Sequence, residues 1–110
     1  MKRIFINSHD QDWLFLINRS LEQAGFEVHF VEQAESLQNE SPDLLILDTK
    51  SSDDLQKWNR TFDSESLSSV PVFVASGDYT IKKRALSSGA NEFLKKPFQT
   101  TNLISLINKL

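Results

Sequence analysis

The sequence predicts an α/β fold: a doubly wound, five-stranded parallel sheet with helices on both faces. Three observations predict it. Short apolar runs alternate with segments of helical periodicity five times along the chain. Two of the runs, Leu44-Leu45-Ile46-Leu47 and Val72-Phe73-Val74-Ala75, are apolar without interruption, as strands buried on both faces must be. No internal repeat, low-complexity tract or linker breaks the pattern, so residues 1–110 read as one domain.

The elements follow in order. Arg3-Ile4-Phe5-Ile6 is a short β-rich run. Asp10-Gln11-Asp12 then supplies an acidic start suited to a helix N-terminus. Trp13, Leu14, Ile17, Leu21 and Ala24 share one face of that helix, and Gly25 is placed to end it. Val28-His29-Phe30-Val31 reads as a second strand and Ala34 to Asn39 as a short second helix. Pro42-Asp43 turns the chain into the third strand, which ends on Asp48. Leu55, Trp58 and Phe62 mark a third helix. Pro71 to Ala75 forms the fourth strand and closes on Ser76-Gly77. Ile81, Ala85 and Leu86 mark a fourth helix stopped by Gly89. Glu92-Phe93-Leu94 is a fifth strand, leading to Lys95-Lys96-Pro97. A last helix holds Leu103, Ile104, Ile107 and Leu110, with Thr100 or Thr101 as its expected cap.

Composition narrows the function classes. The chain is 39% hydrophobic and 25% charged, the profile of a globular domain. Its net charge of -3 gives no basic surface for nucleic acid or anionic lipid. No apolar run approaches the roughly 20 residues that cross a bilayer. The apolar stretch after Met1-Lys2-Arg3 stops at Asn7-Ser8-His9-Asp10, too early for a signal peptide, and cytoplasmic residence is the expectation. Without cysteine there is no disulfide, thiolate metal site or thiol nucleophile.

Ligands of doubly wound sheets bind beyond the carboxyl ends of the strands. The residues there are Asn7-Ser8-His9, Asp48, Ser76 and Lys96. They come from four places in the chain, yet the fold brings them to one edge. Taken singly, an Asp after a strand is most often a cap, a Ser before Gly a loop residue, and Lys95-Lys96 a solvated pair. Together they form a coherent set: one carboxylate, hydroxyls, an imidazole and an amine able to hold an anion.

Three segments carry a family resemblance. Pro42-Asp43-Leu44-Leu45-Ile46-Leu47-Asp48 resembles the phosphoacceptor strand of CheY-like response-regulator receiver domains. Pro71-Val72-Phe73-Val74-Ala75-Ser76-Gly77 is similar to their fourth strand. Gly89-Ala90-Asn91-Glu92-Phe93-Leu94-Lys95-Lys96-Pro97-Phe98 is similar to their Gly-Ala…Lys-Pro-Phe segment, the most specific of the three. The resemblance implies the flavodoxin-like strand order 2-1-3-4-5 with five flanking helices. It implies Asp48 as the position that takes phosphate from a histidine kinase, and Ser76 and Lys96 as the groups that sense the phosphate. Phe93 is then the aromatic switch residue. It further implies signalling through the face made by the fourth helix, fifth strand and fifth helix, with a histidine kinase or other signalling protein as partner. A homodimer through that face is a further expectation, as is no direct contact with nucleic acid or membrane.

The sequence departs from the family at the metal site. Ser8-His9 stands where the family carries two acidic residues that hold Mg²⁺ with the phosphoacceptor. Mg²⁺ demands hard oxygen ligands, so Asp48 alone makes a poor site, and Asp10, one residue beyond the lost pair, is a weak candidate ligand more suited to capping the helix. Mg²⁺ binding is therefore expected to be weak, and no other cofactor is expected. Lys50 or His9 is placed to supply positive charge beside Asp48 instead, although Lys50 fits a solvent-facing role equally well. The interval from Ser76 to Lys96 is short for the family, and Lys82-Lys83-Arg84 within it reads as a solvated helix face or a partner contact.

Three functions are compatible with these residues. The leading one is an atypical, non-enzymatic receiver that signals by protein contact, with Mg²⁺-dependent phosphorylation of Asp48 weak or absent. The second is a working phosphoacceptor whose cation is Lys50 or His9. The third, a small flavodoxin-like enzyme or ligand-binding domain, is open to any such fold. Against the third, the isolated glycines Gly25, Gly77 and Gly89 make no phosphate-cradling loop.

Overall fold

A computed structural model describes residues 2–37, 40–51, 55, 56, 58 and 69–110. Its strands are β1 (Arg3–Asn7), β2 (Glu27–Phe30), β3 (Leu44–Asp48), β4 (Val72–Ser76) and β5 (Glu92–Lys95). They form one sheet in the order β2-β1-β3-β4-β5, parallel throughout. The helices are α1 (Gln11–Gln23), α2 (Lys82–Ser87) and α3 (Thr100–Asn108). Leu55, Gln56 and Trp58 are also helical, and Phe62 of the third expected helix lies outside the described residues.

The uninterrupted apolar runs explain themselves once both faces of the sheet are covered. Successive strand residues point to opposite faces. Ile4, Ile6, Leu44, Ile46, Phe73 and Ala75 join Leu14, Ile17 and Leu21 of α1 and Leu103 and Ile107 of α3 on one side. Phe5, Leu45, Leu47, Val72 and Val74 join Leu55, Trp58 and Ala85 on the other. Each Val, Leu, Ile or Phe side chain among them contributes about 1.5–3 kcal/mol on removal from water, so the central strands β1, β3 and β4 can hardly shift register without exposing one face's set to the other environment.

Several boundaries differ from expectation. Of the expected second helix, Ala34–Leu37 is a 3-10 turn, and Gln38 and Asn39 lie outside the described residues. α2 is short and follows another 3-10 turn, Tyr79–Ile81, with Ile81 and Ala85 buried but Leu86 40% exposed. Ala24 is exposed, and Leu110 lies beyond the end of α3. Neither Thr100 nor Thr101 caps α3. Gln99 is the N-cap and makes no side-chain capping bond, because the chain enters the helix straight from Pro97-Phe98 and Thr100 is already helical. β2 is an edge strand, which leaves Phe30 55% exposed. No helix among the described residues is long and apolar enough to cross a membrane.

Gly25 and Gly89 end α1 and α2 at φ +95° and +113°, backbone conformations that a Cβ disfavours. Open space surrounds both Cβ positions, so the penalty is conformational rather than steric. Gly89→Ala is expected to lower the unfolding free energy by about 1 kcal/mol or more, seen as a lower urea midpoint with an unchanged m-value.

Candidate functional site

A parallel sheet delivers the last residue of every strand to the same edge. Asn7 pairs with Leu47, Asp48 with Ala75 and Ser76 with Lys95, so β1, β3, β4 and β5 finish in step. The next residues, Ser8, Thr49, Gly77 and Lys96, rim the edge. Main-chain bonds hold the rim together: the Thr49 N–H donates to Ala75 O at 2.9 Å and the Lys96 N–H to Ser76 O at 2.8 Å.

The centre of the rim is an ion cluster. Lys96 Nζ lies 3.0 Å from Asp48 Oδ2 and 3.4 Å from Asp10 Oδ2. Ser8 Oγ donates to the same Asp48 Oδ2 at 2.6 Å and accepts the Asp10 N–H at 3.0 Å. The Asp48 side chain is 8% exposed and that of Lys96 18%, so water screens this pair poorly. Asp10 uses its two carboxylate oxygens for separate tasks. Oδ1 accepts the Trp13 N–H at 3.1 Å as the N-cap of α1, while Oδ2 faces Lys96. The Trp13 ring in turn lies under the Lys96 ammonium, 4.6 Å from it, and packs edge-on against Phe98.

The other expected residues sit around this cluster. Ser76 is fully buried, and its hydroxyl accepts the Asp78 N–H at 3.0 Å, so it faces the start of the following turn rather than Asp48. Phe93 is half-buried in β5 and meets Tyr79 edge-on at 6.0 Å. Lys50 is exposed, and its charge acts on Asp10. His9 is exposed and, among the described residues, makes no hydrogen bond to Asp48. The side chain of Ser8 turns in to Asp48 in its stead. The buried Thr49 hydroxyl has no partner among the described residues.

Sequence reasoning found Asp48, Ser76 and Lys96 from their places after strands. It left the bond from Ser8 unread and treated Trp13 only as part of the core face of α1. The available signal was the spacing of Asp10 and Trp13, an N-cap and the third helical residue, at a helix start that the βα connection aims at the rim.

The donor set bears on whether Mg²⁺ fits. Among the described residues no three His, Cys, Asp or Glu side chains converge. Both nearby carboxylates, Asp48 and Asp10, are turned to an ammonium, and the third oxygen is a neutral hydroxyl committed to Asp48. Mg²⁺ requires a near-octahedral oxygen shell at about 2.0–2.1 Å. These residues do not fit it.

Comparison with known proteins places this geometry. No family model matches the chain. It is 30% identical over 118 aligned positions to the transcriptional regulatory protein CpxR of Escherichia coli (strain K12), covering 100% of this chain and 49% of that protein. It is similar in fold to a CheY-like response regulator receiver domain from Methanospirillum hungatei JF-1, with TM-score 0.85 at 22% identity, covering 99% of this chain and 92% of that one. The chain has the fold of a CheY-like receiver domain and is similar in sequence to response regulators. A second neighbour in fold is the receiver domain of a sensor histidine kinase from Pseudomonas aeruginosa PAO1, which holds a magnesium ion in its active site cleft. It shares 19% identity at TM-score 0.85, over 98% of this chain and 95% of that one. The chain spans about half the length of the curated regulators it matches. The strand order 2-1-3-4-5 expected from the resemblance is the order observed.

The Asp10 carboxyl is held below the ordinary carboxylate range, first by accepting the Trp13 N–H and then by the charges of Lys96 and Lys50, against partial desolvation. A depressed folded-state pKa adds stability above the unfolded value, and that stability is lost as pH falls through the folded one. Asp10→Asn keeps a capping oxygen but removes the charge. The variant is expected to show a flatter loss of stability below about pH 4, measured by urea unfolding across the acid range.

Proposed function

We propose that this receiver is an atypical, non-enzymatic signalling module that acts by protein contact, with Asp48 at the phosphoacceptor position and its Mg²⁺-dependent phosphorylation weak or absent. The observation that carries the reading is the commitment of Asp48 Oδ2 to both Lys96 Nζ and Ser8 Oγ, at 3.0 and 2.6 Å. Phosphoryl transfer relies on cations to neutralise charge on the moving group. Loss of about 4 kcal/mol of that neutralisation slows transfer about a thousandfold. Lys96 contributes one positive charge at the acceptor, and Asp10 already shares it.

Ser76 and Lys96 are the residues this reading assigns to sensing the state of Asp48. A phosphoryl group there turns a monoanion into a group of charge about -2 with three strong acceptor oxygens. Lys96 is already in place to meet them. Ser76 would have to leave its bond to the Asp78 N–H and turn toward Asp48, freeing space on the side of Phe93 and Tyr79. The output face under this reading is α2, β5 and α3, where Tyr79 and Leu86 are exposed apolar groups beside Lys83 and Arg84. α3 carries no acidic residue, so the basic turn of α2 has no counter-charge on α3 of a second copy. That favours a separate partner, a histidine kinase or another signalling protein, over self-association through this face.

The test is incubation with acetyl phosphate and Mg²⁺, followed by intact-mass analysis. The expected outcome is no stoichiometric acyl phosphate on Asp48. Restoring the acidic pair with Ser8→Asp and His9→Asp together is expected to raise the labelling rate by about a hundredfold or more, toward the thousandfold ceiling above. Rapid, stoichiometric labelling of the unaltered chain would overturn the reading.

A further inference from the structure

We propose that Asp10 and Trp13 form a clamp that seats the Lys96 ammonium against Asp48, making Lys96 the resident cation of the site. The clamp is built from one stretch of sequence, the N-cap and third residue of α1. Asp10 Oδ1 fixes the Trp13 backbone at 3.1 Å, and Asp10 Oδ2 approaches the ammonium at 3.4 Å. The Trp13 ring approaches that ammonium from a third side, 4.6 Å away. Phe98 sets the tilt of the indole by an edge contact at 6.2 Å. Lys96 thus meets two carboxylates and one π face, and its side chain is only 18% exposed.

The energetics favour this arrangement over a freely moving lysine. A cation over an indole gains more when desolvated than when exposed, and Lys96 is largely withdrawn from water. A long lysine side chain loses rotamer entropy on being fixed, and three partners share that cost. Neither Asp48 nor Ser8 reaches the ammonium from the side of α1, so Trp13 supplies what the sheet edge cannot. Trp13 is a positioning residue: it touches Lys96 and acts on Asp48 through it. The functional meaning of the clamp rests on the reading of Asp48 given above, but its existence does not.

The experiment uses the full chain carrying 13Cε-labelled lysine, with the Lys96 signal assigned by Lys96→Arg. Ring current from Trp13 is expected to move the Lys96 Hε resonance upfield of the exposed lysines. Trp13→Leu is expected to abolish that shift, Trp13→Phe to retain part of it, and Asp10→Asn to reduce it. Millimolar Mg²⁺ is expected to leave it where it is in EDTA. A Trp13 that only packs the core would change stability in these variants and leave the Lys96 signal unmoved. Trp13→Phe keeps an aromatic ring, so it and Asp10→Asn carry the test if Trp13→Leu does not fold. A Lys96 resonance coincident with the exposed lysines, or displaced by Mg²⁺, would overturn the proposal. No phosphodonor is present, so rapid phosphorylation of Asp48 in the previous experiment would defeat that reading and leave this one standing.

Discussion

The ion pair between Asp48 and Lys96 is the constraint on which the rim of this domain depends. The two residues are separated by most of the second half of the chain, yet their charged atoms lie 3.0 Å apart. That distance is possible because β3, β4 and β5 are parallel and in register, so the ends of β3 and β5 flank the end of β4. The pair spans the end of β4. Its members are largely withdrawn from water, and removing one would leave the other charge poorly solvated. Each is therefore given further partners: Ser8 for the carboxylate, Asp10 and Trp13 for the ammonium. The core sets where the strands end, and the strand ends set the cluster.

Much of the fold was legible because burial leaves a plain mark on strands. Leu44 to Leu47 and Val72 to Ala75 have no polar interruption because alternate residues enter two different cores. The edges were less legible. Phe30 reads as a core residue by type, but β2 has a neighbour on one side only and leaves it half in water. Leu86 fails for a similar reason: α2 has six residues, too few for a full apolar stripe, and Ala85 takes the inward position. The expected threonine cap at α3 failed because capping depends on where the helix turns in, and that is set by the path of the preceding Lys96-Pro97-Phe98 rather than by residue type.

At the site, residues that follow strands were readable and residues that begin a helix were not. Asp48, Ser76 and Lys96 occupy positions defined by topology alone. Which of Ser8 and His9 turns inward is a matter of how the chain leaves β1, and the bend there sends the imidazole outward. Trp13 presents a second ambiguity. Its helical phase assigns it to the core face, yet its place in the first turn of α1 puts its ring at the rim, where one side packs and the other faces a charge. An amphipathic ring serves both roles, and hydrophobic periodicity records only the first.

A tethered ammonium and a divalent ion are different physical objects at the same carboxylate. The ion brings two charges, exchanges with solvent and responds to its free concentration. The ammonium brings one charge, cannot diffuse away and forms part of the folded state. Two carboxylates facing one ammonium leave the Asp10–Asp48–Lys96 cluster one negative charge in excess. On the proposed reading, phosphorylation would take Asp48 from a charge of -1 to about -2 and deepen that excess. On that reading, the same contacts that stabilise the acid in its unmodified form oppose its modification. On the proposed reading, the rim of this receiver favours one charge state, and its surface is presented to partners in the conformation that state maintains.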